Sequence, residues 1–163
     1  MPDLMSVRCA RASDLDAILA IEHASFGLDA YDRKLFAELL HKCGGMFLVA
    51  FSGNRVIGYS VCCINFSRAE LVSIAVAPRH RKQGVASALL ASTLRRLRRR
   101  GVERITLMAK VTNQAAIAFY GKFGFRKLRR VARYYEDGSD GFLFVAQLAA
   151  ETRSRQSPSK PVC

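Results

Sequence analysis

No stretch limits the fold of this chain more than residues 70–100, ELVSIAVAPRHRKQGVASALLASTLRRLRRR. Its first part is apolar almost throughout, which suits a strand buried on both faces, and Pro78 cannot continue such a strand. From Val85 the apolar residues Val85, Ala86, Leu89, Leu90, Thr93, Leu94 and Leu97 recur at helical spacing, while Arg95, Arg96, Arg98 and Arg99 fall largely opposite. Gly101 ends that helix. A central strand must therefore pass through a short basic turn at Gly84 into a long amphipathic helix that packs back on its sheet.

The flanking sequence supplies the other layers. Ser13 or Asp14 can cap a helix carrying Leu15, Ile18, Leu19 and Ile21, and a second helix is expected over DRKLFAELLHK, with HASFGLDAY as the loop between them. GGMFLVAF and RVIGYSVCCINF, joined by SGN, read as an antiparallel hairpin. Downstream come a strand ERITLMA, a helix from Thr112 or Asn113 to Lys122, a strand starting near GFRKLRR, a polar turn EDGSDG and a last strand GFLFVAQL. The order is α/β, in one domain over residues 1–148, with the polar residues 149–163 expected to be unordered.

Composition narrows the class further. No run approaches the roughly 20 apolar residues of a membrane span, and the start has no basic segment followed by an apolar one. A soluble, cytoplasmic protein without membrane contact is expected, a monomer or weak homodimer. Cys9, Cys43, Cys62, Cys63 and Cys163 show no C-x-x-C spacing and no partnering His pair, so reduced thiols and no metal are expected. The 26 Lys and Arg outnumber 13 Asp and Glu, a formal +13, and they cluster in RRLRRRGVER and KFGFRKLRRVAR. Such a surface can meet RNA, although the first cluster has no interleaved aromatic residues for stacking on bases. A merely solvated helix face that keeps the protein soluble is the favoured reading, and a ribosome or nucleic-acid contact the alternative.

The turn itself has the makings of an anion site. A helix start exposes unpaired N–H groups and the positive end of the helix dipole. Arg81 and Lys82 add charge, Gly84 removes a Cβ, and Ala86 keeps the first turn small. The P-loop Gly-Lys-Ser/Thr and the three glycines of a dinucleotide fingerprint are both missing, which leaves a pyrophosphate held by backbone amides without a metal.

The strand SIAV, Pro78, Arg81-x-x-Gly84-x-Ala86, the helix, and TNQAAIAFYGKFGF together resemble the GNAT acetyltransferase family, with its [Q/R]-x-x-G-x-[G/A] acetyl-CoA motif. NQAAIAFYGKFGF and RYYEDGSDGFLF are similar to the RimI-type protein N-terminal acetyltransferases, and the likeness spans about residues 6 to 148. It implies a GNAT fold, a mostly antiparallel central sheet with a splayed parallel strand pair and flanking helices. It also implies acetyl-CoA as cofactor, its pantetheine arm along the backbone of Ile74, Ala75 and Val76 and its pyrophosphate on the amides of Arg81, Lys82, Gln83, Gly84, Val85, Ala86 and Ser87. Asn113 would face the cofactor near the thioester, though it reads equally as a helix cap. Tyr120, two helical turns on, is the expected proton donor to the leaving thiolate, since a phenol of pKa about 10 suits a thiol of about 8.5.

One position departs from the pattern. Where RimI-type enzymes carry a Glu five residues before the Asn, this chain has Met108, which takes no proton. Glu70 acting through a water is the nearest substitute; an ordinary strand-end carboxylate is the alternative. The acceptor would enter between Phe26, Gly27 and Leu28 on one side and Tyr134 and Tyr135 on the other. A weak base favours an α-amine, about a tenth neutral at pH 7, over a lysine neutral about once in several thousand molecules. The expected acceptor is thus a protein or peptide amino terminus, with a ribosomal protein as one candidate. A small amine, judged disfavoured by the positive charge and a scarcity of acidic pocket residues, and a degenerate acetyl-CoA-binding domain remain as alternatives. Cys62 and Cys63 have no visible activating base for a covalent route.

Overall fold

The computed structural model describes residues 4–149. The expected tail therefore lies, from residue 150 on, outside the described residues. The strands are β1 (Met5–Cys9), β2 (Phe47–Ser52), β3 (Arg55–Asn65), β4 (Arg68–Val76), β5 (Arg104–Lys110), β6 (Arg126–Val131) and β7 (Gly141–Gln147). They form one sheet in the order β1-β2-β3-β4-β5-β7-β6. Every neighbouring pair is antiparallel except β4 with β5. The helices are α1 (Leu15–Phe26), α2 (Arg33–Cys43), α3 (Val85–Arg99) and α4 (Gln114–Lys122). None is long and apolar enough to cross a membrane.

The two faces of the sheet have separate cores. On one, Leu15, Ile18 and Leu19 of α1 and Phe36 of α2 pack on Phe47, Tyr59 and Val61. On the other, Leu90, Leu94 and Leu97 of α3 and Tyr120 of α4 pack on Leu71, Ile105 and Leu107. Val85 and Leu89 fix the start of α3 against Leu48, Ile57 and Val76, so the helix opens beside the end of β4. Fully burying one such Leu is worth about 1.5–3 kcal/mol, which makes the stripe of α3 the main anchor of that layer. Its far end closes with Gly101 at φ +72 and the Val102 N–H on the Leu97 carbonyl at 3.0 Å.

Several expectations change. The edge strand β1 was not anticipated; Met5, Val7 and Cys9 alternate with Ser6 and Arg8, but the run is only five residues long with its first two exposed, and it is defined by pairing along β2. The segment HASF is the end of α1 rather than loop, and a 3-10 turn, Gly27–Asp29, follows it. Asp14 precedes α1 without capping it, because its carboxylate receives the Arg11 N–H at 2.8 Å and the Arg8 guanidinium at 2.7 Å. Cys43 and Cys63 form a disulfide instead of being free thiols, because α2 ends beside that position of β3. Among the described residues Cys62 is the free cysteine; it is buried, and burial pushes its thiol up to about 12, which leaves it unreactive.

Glu22 of α1 is 1% exposed. Its carboxyl accepts the Tyr31 N–H at 3.0 Å, the Ser73 hydroxyl at 3.3 Å and the Tyr59 hydroxyl. Burial raises its pKa, opposed by the Tyr31 amide and the Ser73 hydroxyl. The folded protein thus holds this proton more tightly than the unfolded chain does, and stability falls as pH rises from the ordinary carboxyl range through the raised value. Glu22→Gln removes the titration and retains an acceptor. Its melting temperature should fall less than the parent's as pH rises above the ordinary carboxyl range, by thermal circular dichroism; parallel profiles would contradict this.

Candidate active site

The turn between β4 and α3 provides open N–H groups. Gly84 is the N-cap of α3 at φ +80, a left-handed conformation suited to glycine, and no side chain caps the helix. A Cβ built on Gly84 meets no protein atom within 4 Å, so the space before the first turn is free. The uncapped amides of Val85, Ala86 and Ser87 can hold an anion such as a diphosphate there. The side chain of Arg81 is occupied otherwise. Its Nε donates to the Val76 carbonyl at 3.1 Å and its Nη2 to the Ser25 hydroxyl at 3.1 Å, so it ties the turn to β4 and α1. Lys82, at φ +61, and Gln83 are exposed, and Gln83 donates to the Arg79 carbonyl at 3.3 Å.

Next to the turn the sheet opens. β4 and β5 pair only at Arg68↔Arg104, Ala69↔Ile105 and Glu70↔Thr106. From Leu71 to Val76 the edge of β4 toward β5 has no strand partner, although its other edge stays paired to β3. The Ala77 N–H bonds the Ile57 carbonyl at 2.8 Å on the β3 side. By strand alternation, the backbone groups of Val76 and Ile74 face the gap and those of Ala75 face β3. An extended chain laid in the gap would thus meet Ile74 and Val76, not all three residues.

α4 stands over the same opening. Asn113 is its N-cap, accepting the Ala116 N–H at 3.1 Å. Tyr120 is 8% exposed between Phe119 and Phe125, and burial, then the nearby Tyr135, raises its phenol pKa well above the ordinary value. This alters the sequence expectation of a phenol near 10: Tyr120 is a weaker acid and remains protonated through the whole working range.

The opposite face carries a second mouth. Thr106, Met108 and Lys110 alternate with the buried Ile105, Leu107 and Ala109, so they project toward the α1 and α2 side of the sheet. Lys110 pairs with Asp29 at 2.6 Å and Asp137 at 3.0 Å, and its ammonium lies 5.1 Å from the Tyr135 ring centroid. One lysine thereby joins the Gly27–Asp29 turn to the loop between β6 and β7. Tyr134 and Tyr135 stack edge to face at 5.0 Å. Burial pushes Tyr135 up to about 12, with Tyr134 and Tyr31 adding to the effect. Burial also raises Tyr31 and Tyr134, and Glu70 raises both further, which sets Glu70 within electrostatic reach of these phenols. Met108 lies on this face with its methyl over Gly141, where a Cβ would sit 2.7 Å away. Phe26 and Leu28 are exposed at the rim.

Two features of this mouth were missed from sequence, the Lys110 bridge and Asp29, whose Oδ1 is buried without a hydrogen-bond partner. The expectation that acidic residues are few near the pocket is also corrected: Asp29, Glu70 and Asp137 surround this opening in a chain of formal charge +13. Lys110→Met removes both ion pairs at once. It should raise amide hydrogen exchange at residues 27–31 and 134–140 together, roughly three- to tenfold for about 1 kcal/mol, whereas Asp137→Asn should affect only the second segment. Unchanged exchange in Lys110→Met would show that the loops are held otherwise.

The Acetyltransferase (GNAT) family matches residues 14–125. The N-alpha-acetyltransferase of Sulfolobus acidocaldarius is 33% identical over 155 residues, covering 87% of this chain and 92% of the relative. The [ribosomal protein bS18]-alanine N-acetyltransferase of Escherichia coli is 27% identical over 143 residues, covering 86% and 95%. The crystal structure of Ard1 from Thermoplasma volcanium superposes with a TM-score of 0.86 at 25% identity, covering 89% of this chain and 98% of that one.

Proposed function

The chain belongs to the GNAT acetyltransferase family, and from that premise we propose that it transfers acetyl from acetyl-CoA to the α-amino group of a protein amino terminus, by direct attack in a ternary complex. The observation that carries this reading is the unpaired edge of β4 from Leu71 to Val76, open to the amides of Gly84 to Ser87 on one side and to the Lys110-bridged mouth on the other. A cofactor arm and an acceptor can meet there from opposite faces. The acetyl carbon of acetyl-CoA is already activated as a thioester, so the protein has to supply position, a bond to the carbonyl oxygen and two proton movements.

The residues divide these tasks. The amides of Val85, Ala86 and Ser87 hold the diphosphate, with charge from Lys82, and the backbone of Ile74 pairs with the pantetheine arm. The Val76 N–H donates to the carbonyl oxygen as negative charge grows there. Tyr120 donates to the departing sulfur; its raised pKa makes this a hydrogen bond to the thiolate more than an early proton transfer. Glu70, exposed and facing Tyr31 and Tyr134, takes the ammonium proton of the acceptor through a water, in place of the carboxylate absent at Met108. Tyr134 and Tyr135 bond the peptide backbone, while Phe26, Gly27 and Leu28 line its first side chain.

The relatives named for N-alpha-acetyl transfer support the α-amine as acceptor. The Escherichia coli relative makes a ribosomal protein the natural first candidate. The carboxylates around the mouth also favour one other acceptor, a small polyamine, so it belongs in the same assay. Release of CoA is to be measured with amino-terminal peptides, the same peptides with a blocked α-amine and a free lysine, and a polyamine. The reading requires release with free α-amines alone; release with lysine or polyamine only would overturn it.

Tyr120→Phe should lower kcat about a hundredfold with acetyl-CoA KM within about threefold, and full turnover would remove Tyr120 from the reaction. Because burial holds the phenol protonated, kcat/KM should rise through the α-amine range near 8 and show no descending limb below about pH 10. A descending limb near pH 9 would contradict that assignment. Glu70→Gln should lower kcat/KM most at acid pH, where the acceptor carries its proton.

A further inference from the structure

We propose that the end of the molecule formed by the last turns of α3 and the first residues of β4 and β5 docks on the phosphate backbone of structured RNA. Arg95, Arg98 and Arg99 lie within one third of the α3 circumference by their spacing, and Arg100 follows at the helix end. Arg68 and Arg104 are direct neighbours in the parallel pair and line one cleft with Ser67, Glu103 and Gln147. Three elements thus bring six arginines to one end of the fold, with Glu103 as the carboxylate of that cleft. None of the six takes part in an ion pair among the described residues.

The arginines also act on one another electrostatically. Burial lowers the proton affinity of Arg96, and the neighbouring Arg100, Arg95 and Arg99 lower it further, as like charges close together do. Cations at a helix end are favourable to the dipole, but that effect fades within the last turn and does not reach Arg68 or Arg104. Glu103 lies in the cleft, and the carboxylates in ion pairs lie elsewhere: Asp14 and Asp16 pair with Arg8 and Arg33, Asp29 and Asp137 with Lys110, and Asp140 with Arg130. No aromatic residue lines the cleft, so contact is with phosphates and carries little sequence preference. The patch begins about 15 Å along α3 from the amides of Val85 to Ser87, leaving the transfer site clear. Choosing RNA over DNA rests on the proposed acceptor, since protein amino termini first emerge at an RNA-rich particle.

The full chain is to be titrated by fluorescence anisotropy into a labelled RNA duplex of about 16 base pairs over a range of salt. The parent should bind with log K falling linearly in log salt. A variant combining Arg68→Gln, Arg98→Gln, Arg99→Gln and Arg104→Gln should bind at least tenfold more weakly with a salt slope shallower by about 3. A control with Arg126→Gln and Arg129→Gln on β6 should change affinity less than about threefold. Circular dichroism and CoA release from peptide are followed in all three proteins, so a failure of folding or of the transferase reading is seen separately from a failure of RNA binding. Absence of RNA binding by the parent, or equal loss in the two variants, would overturn the proposal. Equal affinity for a DNA duplex, or preference for anionic vesicles, would overturn the assignment to RNA.

Discussion

The site depends on where one strand pair stops. β4 and β5 run parallel and share three register positions, ending at Glu70 and Thr106, after which each keeps only its outer neighbour, β3 or β7. Unpaired backbone groups within a core are costly, so a gap between central strands persists only where something else meets them. The edge of β4 through Val76 is thus the feature around which the other parts are ordered. α3 packs by its apolar stripe so that its uncapped start lies beside that edge, and α4 sets Tyr120 over the same opening. Arg81 locks the arrangement by joining the Val76 carbonyl and Ser25.

Charge divides the molecule in a way that the total does not convey. The mouth on the α1 and α2 side gathers Asp29, Glu70 and Asp137 around Lys110, whereas the far end of α3 carries arginines from three elements. Carboxylates draw a cationic amine and lower its approach barrier, whereas the arginine end, at a distance from that opening, favours anions. The same separation means that net charge alone does not select the acceptor: a positive chain can present a negative opening. Glu22 belongs to neither group. Its buried carboxyl organises the Tyr31 backbone and the Tyr59 and Ser73 hydroxyls beneath the mouth.

What the sequence disclosed is what local spacing can encode. The stripe from Val85 to Leu97, the Gly84 turn and the Asn113 cap each depend on residues within a few positions, and all three are present as read. The departure at Met108 was visible too, although its packing over Gly141 was not. Contacts made by the topology were hidden. β1 exists because β2 offers an edge; the Cys43–Cys63 bridge forms because α2 ends above β3; and Lys110 meets Asp29 and Asp137 only once β5 lies between their loops. Arg81 shows a subtler limit. Its charge suggested an anion ligand, whereas its guanidinium serves the protein's own backbone and leaves the helix amides as the acceptors' partners.

The central claim is that the unpaired edge of β4 and the open amides of α3 together receive acetyl-CoA. Amide hydrogen exchange read by mass spectrometry, with and without acetyl-CoA, tests it most directly. The account predicts protection concentrated at residues 71–76 and 84–88 when acetyl-CoA is present, with the antiparallel β2–β3 pairing unchanged. Saturable acetyl-CoA binding that left both segments exchanging as before would contradict it.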